Sequence, residues 1–198
     1  MARPKLNAND IPVCLRIEYA FWELAKEYPV HEITVNLLAS RAQCSRGSFY
    51  YHYDGIDMLI DRIIEQSFPS LLPQTLYSWL FSSSASVDGV LNSSEFQETL
   101  ERLCVLVGPH STLEIVAKVK RKFITAWLDL YGVKEDELPL EAQILFEFMS
   151  NGVLGIIAFR AHSKSSVSAL QFFDAVYPEV PTAFIKRLKI IMKDKLPA

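Results

Sequence analysis

The chain has 198 residues, half of them hydrophobic and 12% aromatic, and a formal net charge of −3. That length holds one large domain, or two small ones that share an element, and it buries a core without disulfide or metal staples. The charge excludes a uniformly basic nucleic-acid coat. Cys14, Cys44 and Cys104 are odd in number and lack a C-x-x-C spacing, which fits a reducing compartment. Arg3 and Lys5 lead into the polar Asn7-Ala8-Asn9-Asp10, so no secretory leader is expected. The longest apolar run, Ile144 to Phe159, spans 16 residues and contains Glu147, short of the ~20 that cross a bilayer. The expectation is a cytoplasmic protein.

Apolar positions recur at helical spacing, strand-like alternation is absent and glycine is scarce, so the fold class is all-α. The first helix opens near Asp10 with Pro12 in its first turn, carries the stripe Val13, Ile17, Ala20, Phe21 and Leu24, and ends before Pro29. Thr34 caps a short helix over Val35–Ala42. Gln43-Cys44 makes a tight turn, and Ser45 caps a third helix through about Tyr51. Asp54-Gly55 breaks the chain. A fourth helix begins near Ile56, turns Leu59, Ile60, Ile63 and Ile64 inward, and is kinked or ended by Pro69 and Pro73. Ser82–Ser94 reads as a serine-rich surface loop.

Ser94 with Gln97 forms a capping box for a helix to Val107, which Gly108-Pro109 stops. Ser111 or Thr112 opens the next helix, through about Tyr131, with Gly132 as its C-cap. Its run Lys118, Lys120, Arg121, Lys122 is expected to be a solvated face. Leu138–His162 is hydrophobic almost all round and must be covered on two sides, and Gly152 and Gly155 would admit another backbone closely. Then come Val167–Tyr177, a break at Pro178-Glu179-Val180-Pro181, and an amphipathic helix to about Lys195, with Phe184, Leu188, Ile191 and Met192 opposite Lys186, Arg187, Lys189 and Lys193.

The chemistry concentrates in residues 33–53. Two short helices joined by a tight turn form a helix-turn-helix if Ala39 is small at the crossing and Leu38 and Phe49 pack inward. The third helix would then lead with backbone N–H groups and a dipole that favour phosphate. Arg46 would be placed to bond guanine O6 and N7 together. Gly47 has no side chain, so the backbone can approach a groove closely. Tyr50, Tyr51 and His52 carry polar tips suited to phosphate oxygens and thymine methyls. Residues 1–66 hold seven Lys/Arg against nine Asp/Glu, so any DNA binding must rest on local placement of donors.

The runs Tyr28-Pro29-Val30-His31-Glu32-Ile33-Thr34-Val35 and Leu38-Ala39-Ser40-Arg41-Ala42-Gln43-Cys44-Ser45-Arg46-Gly47-Ser48-Phe49-Tyr50-Tyr51-His52-Tyr53, with Leu59 beyond, resemble the tetracycline-repressor-like (TetR) family of bacterial transcription regulators. The resemblance covers about residues 12–66. It implies a three-helix DNA-binding domain, residues 1–55, followed by a helical ligand-binding and dimerisation domain, residues 56–198. Thr34, Ser45, Ser48, Tyr51 and His52 would hold phosphates; Asn36, Arg46, Gly47 and Tyr50 would read the groove.

Two positions depart from the family pattern. Gln43 stands where the family has a turn glycine, and carries strain if its φ is positive. Ile56 replaces a lysine that grips phosphate, which should flatten the salt dependence of binding by about one unit. Arg3 and Lys5 could supply a minor-groove arm.

Beyond residue 66 the likeness loosens. Trp79, Phe96, Phe123, Trp127, Phe146 and Met149 are candidates to line a pocket for a small apolar or aromatic effector. Phe148, Gly152, Gly155, Phe159, Phe172 and Leu188 are candidates for a homodimer interface made by the last two long helices. The expected function is a ligand-responsive repressor that binds a palindromic double-stranded operator as a homodimer. The alternative is an interaction or sensor protein of this fold that has lost specific DNA binding. No catalytic constellation, metal-ligand spacing or cofactor motif stands out, so neither an enzyme nor a metal or cofactor site is expected.

Overall fold

The computed structural model describes residues 11–68, 93–163, 171 and 179–192. Among these every regular element is a helix. Asp10 lies outside the described residues. Pro12, with an extended ψ of 140°, takes the cap position of α1 (Val13–Glu27), where its missing N–H costs nothing. Helix α1 turns Ile17, Ala20, Phe21 and Leu24 inward and stops at Tyr28, before Pro29. A 3₁₀ turn over Val30–Glu32, which the spacing does not foretell, sinks Val30 into the core.

Thr34 Oγ1 accepts the Leu37 N–H at 3.2 Å and opens α2 (Val35–Arg41). Ser45 Oγ accepts the Ser48 N–H at 3.0 Å and opens α3 (Arg46–His52). Helix α4 (Ile56–Gln66) buries Leu59, Ile60, Ile63 and Ile64, the stripe its spacing gives.

Helix α5 (Ser94–Val107) is capped by Ser93, one residue earlier than the capping-box reading, with Ser93 Oγ accepting from Phe96 N–H at 3.2 Å. Thr112 caps α6 (Leu113–Tyr131), and Gly132 ends it at φ +62°, a left-handed conformation that glycine takes without strain. Helices α7 (Leu140–His162) and α8 (Glu179–Met192) complete the described chain. The break expected at Pro178-Glu179-Val180-Pro181 is a correction in part: Glu179, Val180 and Pro181 form the first turn of α8, where a proline's missing N–H is tolerated, and Pro178 lies outside the described residues.

Two hydrophobic clusters hold these helices together. The first joins α1–α4 to α5, to Ile115 and Val119 of α6, and to Leu154 and Ile157 of α7. The second gathers Ile124, Trp127 and Leu128 of α6, Ala142 and Phe146 of α7, and Phe184, Leu188 and Met192 of α8. Leu188, expected at a subunit interface, is therefore a correction. It is fully buried inside its own chain, because α8 spends its i, i+4 ridge on covering α6 and α7.

One buried polar knot ties the first cluster. Glu18 of α1 is 7% exposed. Its Oε1 accepts the Tyr53 hydroxyl at 2.9 Å and the Gln66 Nε2–H at 3.2 Å, linking α1 to the ends of α3 and α4. Burial, and then the Glu18 carboxylate, push the Tyr53 hydroxyl well above its ordinary range, so it stays protonated and donates. Tyr53→Phe removes a hydrogen bond to a buried charged group and should lower stability by roughly 1.5–3 kcal/mol. In urea unfolding the midpoint should fall with an unchanged slope; an unmoved midpoint would refute the assignment.

Candidate nucleic-acid interface

Helices α2 and α3 meet through a turn that resolves residue by residue. The Gln43 N–H donates to Ser40 O at 3.2 Å and the Cys44 N–H to Ala39 O at 2.9 Å, the paired bonds of a Schellman ending. That ending needs a left-handed residue, and Gln43 supplies it at φ +52°. For a side chain with a Cβ this conformation costs roughly 1–2 kcal/mol. Leu38 and Phe49 are fully buried and Ala39 nearly so, which fixes the crossing of the two helices.

With Phe49 turned inward, the rest of α3 faces out. Arg46 is exposed and has no hydrogen bond or ion pair among the described residues. Tyr50, one turn on, is half exposed, and Tyr51 is 85% exposed. The Tyr51 and His52 rings meet edge to face at 5.0 Å, and Tyr50 packs edge to face on Phe49 at 5.5 Å. The Ser45 and Ser48 hydroxyls lie 2.9 Å apart. Thr34 and Asn36 are exposed on the first turn of α2. A Cβ added at Gly47 would meet only Ser45 Oγ, at an ordinary 3.6 Å, so nothing inside the chain requires glycine there. Ile56 is half-buried and packs against the first cluster. Arg3 and Lys5 lie outside the described residues.

The charge of this region is partitioned. Glu18 is buried in its knot. Arg41 grips Glu27 through both guanidinium nitrogens, at 2.9 and 3.2 Å, and Glu23 at 3.3 Å, which holds the Glu27 carboxyl below its ordinary range. Asp61 and Glu65 of α4 accept Lys118 and Lys122 of α6, each at 2.7 Å. Five of the nine acids in residues 1–66, namely Glu18, Glu23, Glu27, Asp61 and Glu65, are thus taken up within the chain. Exposed pairs of this kind add ~1 kcal/mol at most, so they matter more for the field than for stability.

The lysine run of α6 accordingly differs from a plain solvated face. Lys118 and Lys122 reach α4, and Lys120 reaches Glu147 of α7 at 2.7 Å. The signal was present in the sequence: an i, i+4 pair of lysines complements an i, i+4 pair of acids.

Of the candidate pocket residues, Phe96 sits in the first cluster, Trp127 and Phe146 in the second, Met149 packs against the second, and Phe123 touches both. The Phe123 and Trp127 rings are 6.3 Å apart. Trp79 and Phe172 lie outside the described residues. On α7, Phe148 and Phe159 are 71% and 63% exposed, and Leu140 and Ile144 extend the same stripe. Gly152 and Gly155 lie exposed between them, with open space where a Cβ would stand. By length and composition alone α7 could also cross a membrane. Its other face, Ala142, Phe146, Ser150, Leu154 and Ile157, is buried within the chain.

No family model, curated protein or solved structure matches the chain. The open space at position 47 gives a direct test of the local geometry. Gly47→Ala, in the first turn of α3, should fold normally and melt no lower than wild type, with a gain below the roughly 0.5–1 kcal/mol of a helix interior; a lowered melting temperature would show that the space is not open.

Proposed function

We propose that this chain is a sequence-specific DNA-binding regulator of transcription that acts as a homodimer on a palindromic operator and represses by steric blocking. The observation that carries this reading is the composition of the outer face of α3. An exposed Arg46 without a partner among the described residues leads it, Tyr50 stands one turn behind, and Tyr51 and His52 follow. An uncommitted guanidinium is the donor that can take both acceptors of a guanine edge. The tyrosine and serine hydroxyls and the histidine ring N–H beside it suit the phosphates that set register. Arg41, whose fork is filled by Glu23 and Glu27, cannot serve in that way.

The charge partition supports the same reading. A chain of net charge −3 must keep its acids off a polyanion, and the pairs to Arg41, Lys118 and Lys122 do so for four of them. The resemblance of residues 28–53 to tetracycline-repressor-like regulators, which includes those same residues, supports it.

The second copy is proposed to dock on the open stripe of α7. That stripe, Leu140, Ile144, Phe148 and Phe159, is flanked along one side by Gln143, Glu147 and Asn151 at the same i, i+4 interval. An apolar seam with a polar rim fits a protein partner, whereas acyl chains would strip those polar groups of water. Two heads at one helical turn, ~34–36 Å apart, would read a two-fold site. A small apolar effector would act by favouring one arrangement of the heads; equal affinity for both would shift nothing.

The test begins with a randomised pool of duplexes. The wild-type chain should enrich one palindromic sequence and retard it in a gel. Arg46→Ala should abolish the specific shift, and Gly47→Ala should weaken it while melting no lower than wild type. The second reading, an interaction protein without DNA specificity, is favoured by Ile56 in the place of a phosphate-gripping lysine. Under it no duplex is enriched and Arg46→Ala changes nothing. In light scattering at micromolar concentration the wild type should be a dimer and Phe148→Glu a monomer. A wild-type monomer, or binding to lipid vesicles in place of self-association, would overturn the α7 assignment.

A further inference from the structure

We infer that Arg16 is a positioning residue of the candidate interface: by donating to the Gln43 carbonyl it holds the left-handed turn that sets the pitch of α3. The functional half of this inference rests on the DNA-binding reading; the structural half does not.

Among the described residues Gln43 alone combines a Cβ with a positive φ. Such a residue persists only where its surroundings over-determine it. The two Schellman bonds fix the entry to the turn through the N–H groups of Gln43 and Cys44. They leave the Gln43 carbonyl uncommitted, and its peptide plane governs the direction in which Cys44, Ser45 and then α3 depart.

Arg16 takes up that carbonyl from outside the motif, with Nη1 donating to Gln43 O at 3.2 Å across 27 residues of sequence. It stands on α1, the helix that packs against both α2 and α3. The guanidinium also lies close to Cys44. Burial pushes that thiol up, and the Arg16 charge opposes the rise.

The arrangement has a cost that argues against accident. Arg16 Nε is buried and finds no partner among the described residues. An N–H removed from water without a replacement bond is unfavourable. A side chain that could swing out and recover water keeps this position only if the bond at its tip and the packing of its stem outweigh that loss. The benefit is angular. Side chains that read base edges must be held within about 0.5 Å and 10–20°. Arg46 stands three residues after Gln43, so a small rotation of that peptide displaces it directly.

The experiment uses the full chain with Arg16→Met, which keeps the stem and removes the donors, Arg16→Lys, which keeps one donor, and Arg16→Met in a Gln43→Gly background. Amide hydrogen exchange needs no DNA. Arg16→Met should speed exchange at Gln43 and Cys44 roughly five- to tenfold, the loss of about one hydrogen bond, with the Leu38 amide unchanged. Arg16→Lys should restore most of the protection. Gln43→Gly should blunt the effect, because glycine holds the turn without help. The DNA arm uses the duplex enriched by the wild type and a scrambled duplex of equal length. Arg16→Met should weaken the first about tenfold and leave the second, and the salt slope, unchanged.

Unchanged exchange at both amides would overturn the inference. So would equal losses on both duplexes with a slope smaller by about one, which would make Arg16 a phosphate contact. If the wild type enriches no duplex, the DNA-binding reading fails, and the exchange data still decide whether Arg16 holds the turn.

Discussion

A seven-residue helix cannot sustain itself in water, and α3 has seven residues. Everything asked of its outer face therefore depends on how the rest of the chain grips its inner one. The grip is Phe49, fully buried beside Phe21, Leu38 and Tyr53 in the first cluster. Once that ring is inside, Tyr51 on the far side of the helix has no inward path, while Arg46 and Tyr50 lie at its flanks and are found exposed. Ser45 fixes where the helix begins and Tyr53, bonded to Glu18, fixes where it ends. The direction of α3 is thus set at three places: its start at Ser45, its buried Phe49 and its end at Tyr53.

The same cluster continues from α1–α4 into α5, α6 and α7. Its members run without interruption from Ile17 of α1 to Leu154 and Ile157 of α7. Three further ties cross the same span: the Val30 N–H donates to His110 O at 2.8 Å, the Arg102 guanidinium lies 5.6 Å from the centre of the Trp22 ring, and Lys118 and Lys122 hold Asp61 and Glu65. Interiors packed this closely move between discrete arrangements rather than bending smoothly. A shift of α6 or α7 would therefore reach α4 through apolar packing and two lysine bridges together, and α4 shares the Glu18 knot with the end of α3.

What the sequence disclosed, and what it hid, divides along the range of the interactions. The caps at Thr34, Ser45 and Thr112, the glycine stop at Gly132 and the inward stripe of α4 are local, because each depends on residues within one turn, and all are found where the spacing puts them. The strain at Gln43 was indicated only conditionally, through the resemblance that places a glycine there, and the structure supplies the positive φ. The 3₁₀ turn at Val30–Glu32 was not, because it is secured by a carbonyl 80 residues away in the chain. Nor was the burial of Leu188, which an amphipathic pattern cannot distinguish from a face offered to a second copy. For the outer face of α3, residue type and spacing named the candidates. The structure adds that Arg46 has no partner among the described residues while Arg41, five residues earlier, is held by Glu23 and Glu27.

The α7 helix carries the remaining tension. Its composition asked for cover on two sides, and the chain covers one, through Ala142, Phe146, Ser150, Leu154 and Ile157. On the open side stand two glycines with nothing near them, each costing roughly 1 kcal/mol in a helix interior relative to alanine. Among the described residues that cost has no compensation. A bilayer would offer none either, since acyl chains gain nothing from a missing methyl and would meet Glu147, already bound to Lys120, along the rim. A second helix can recover the loss, because only another backbone profits from coming closer than a Cβ allows. On that argument the glycines, more than the phenylalanines around them, distinguish a proposed seam between two copies from a merely greasy surface.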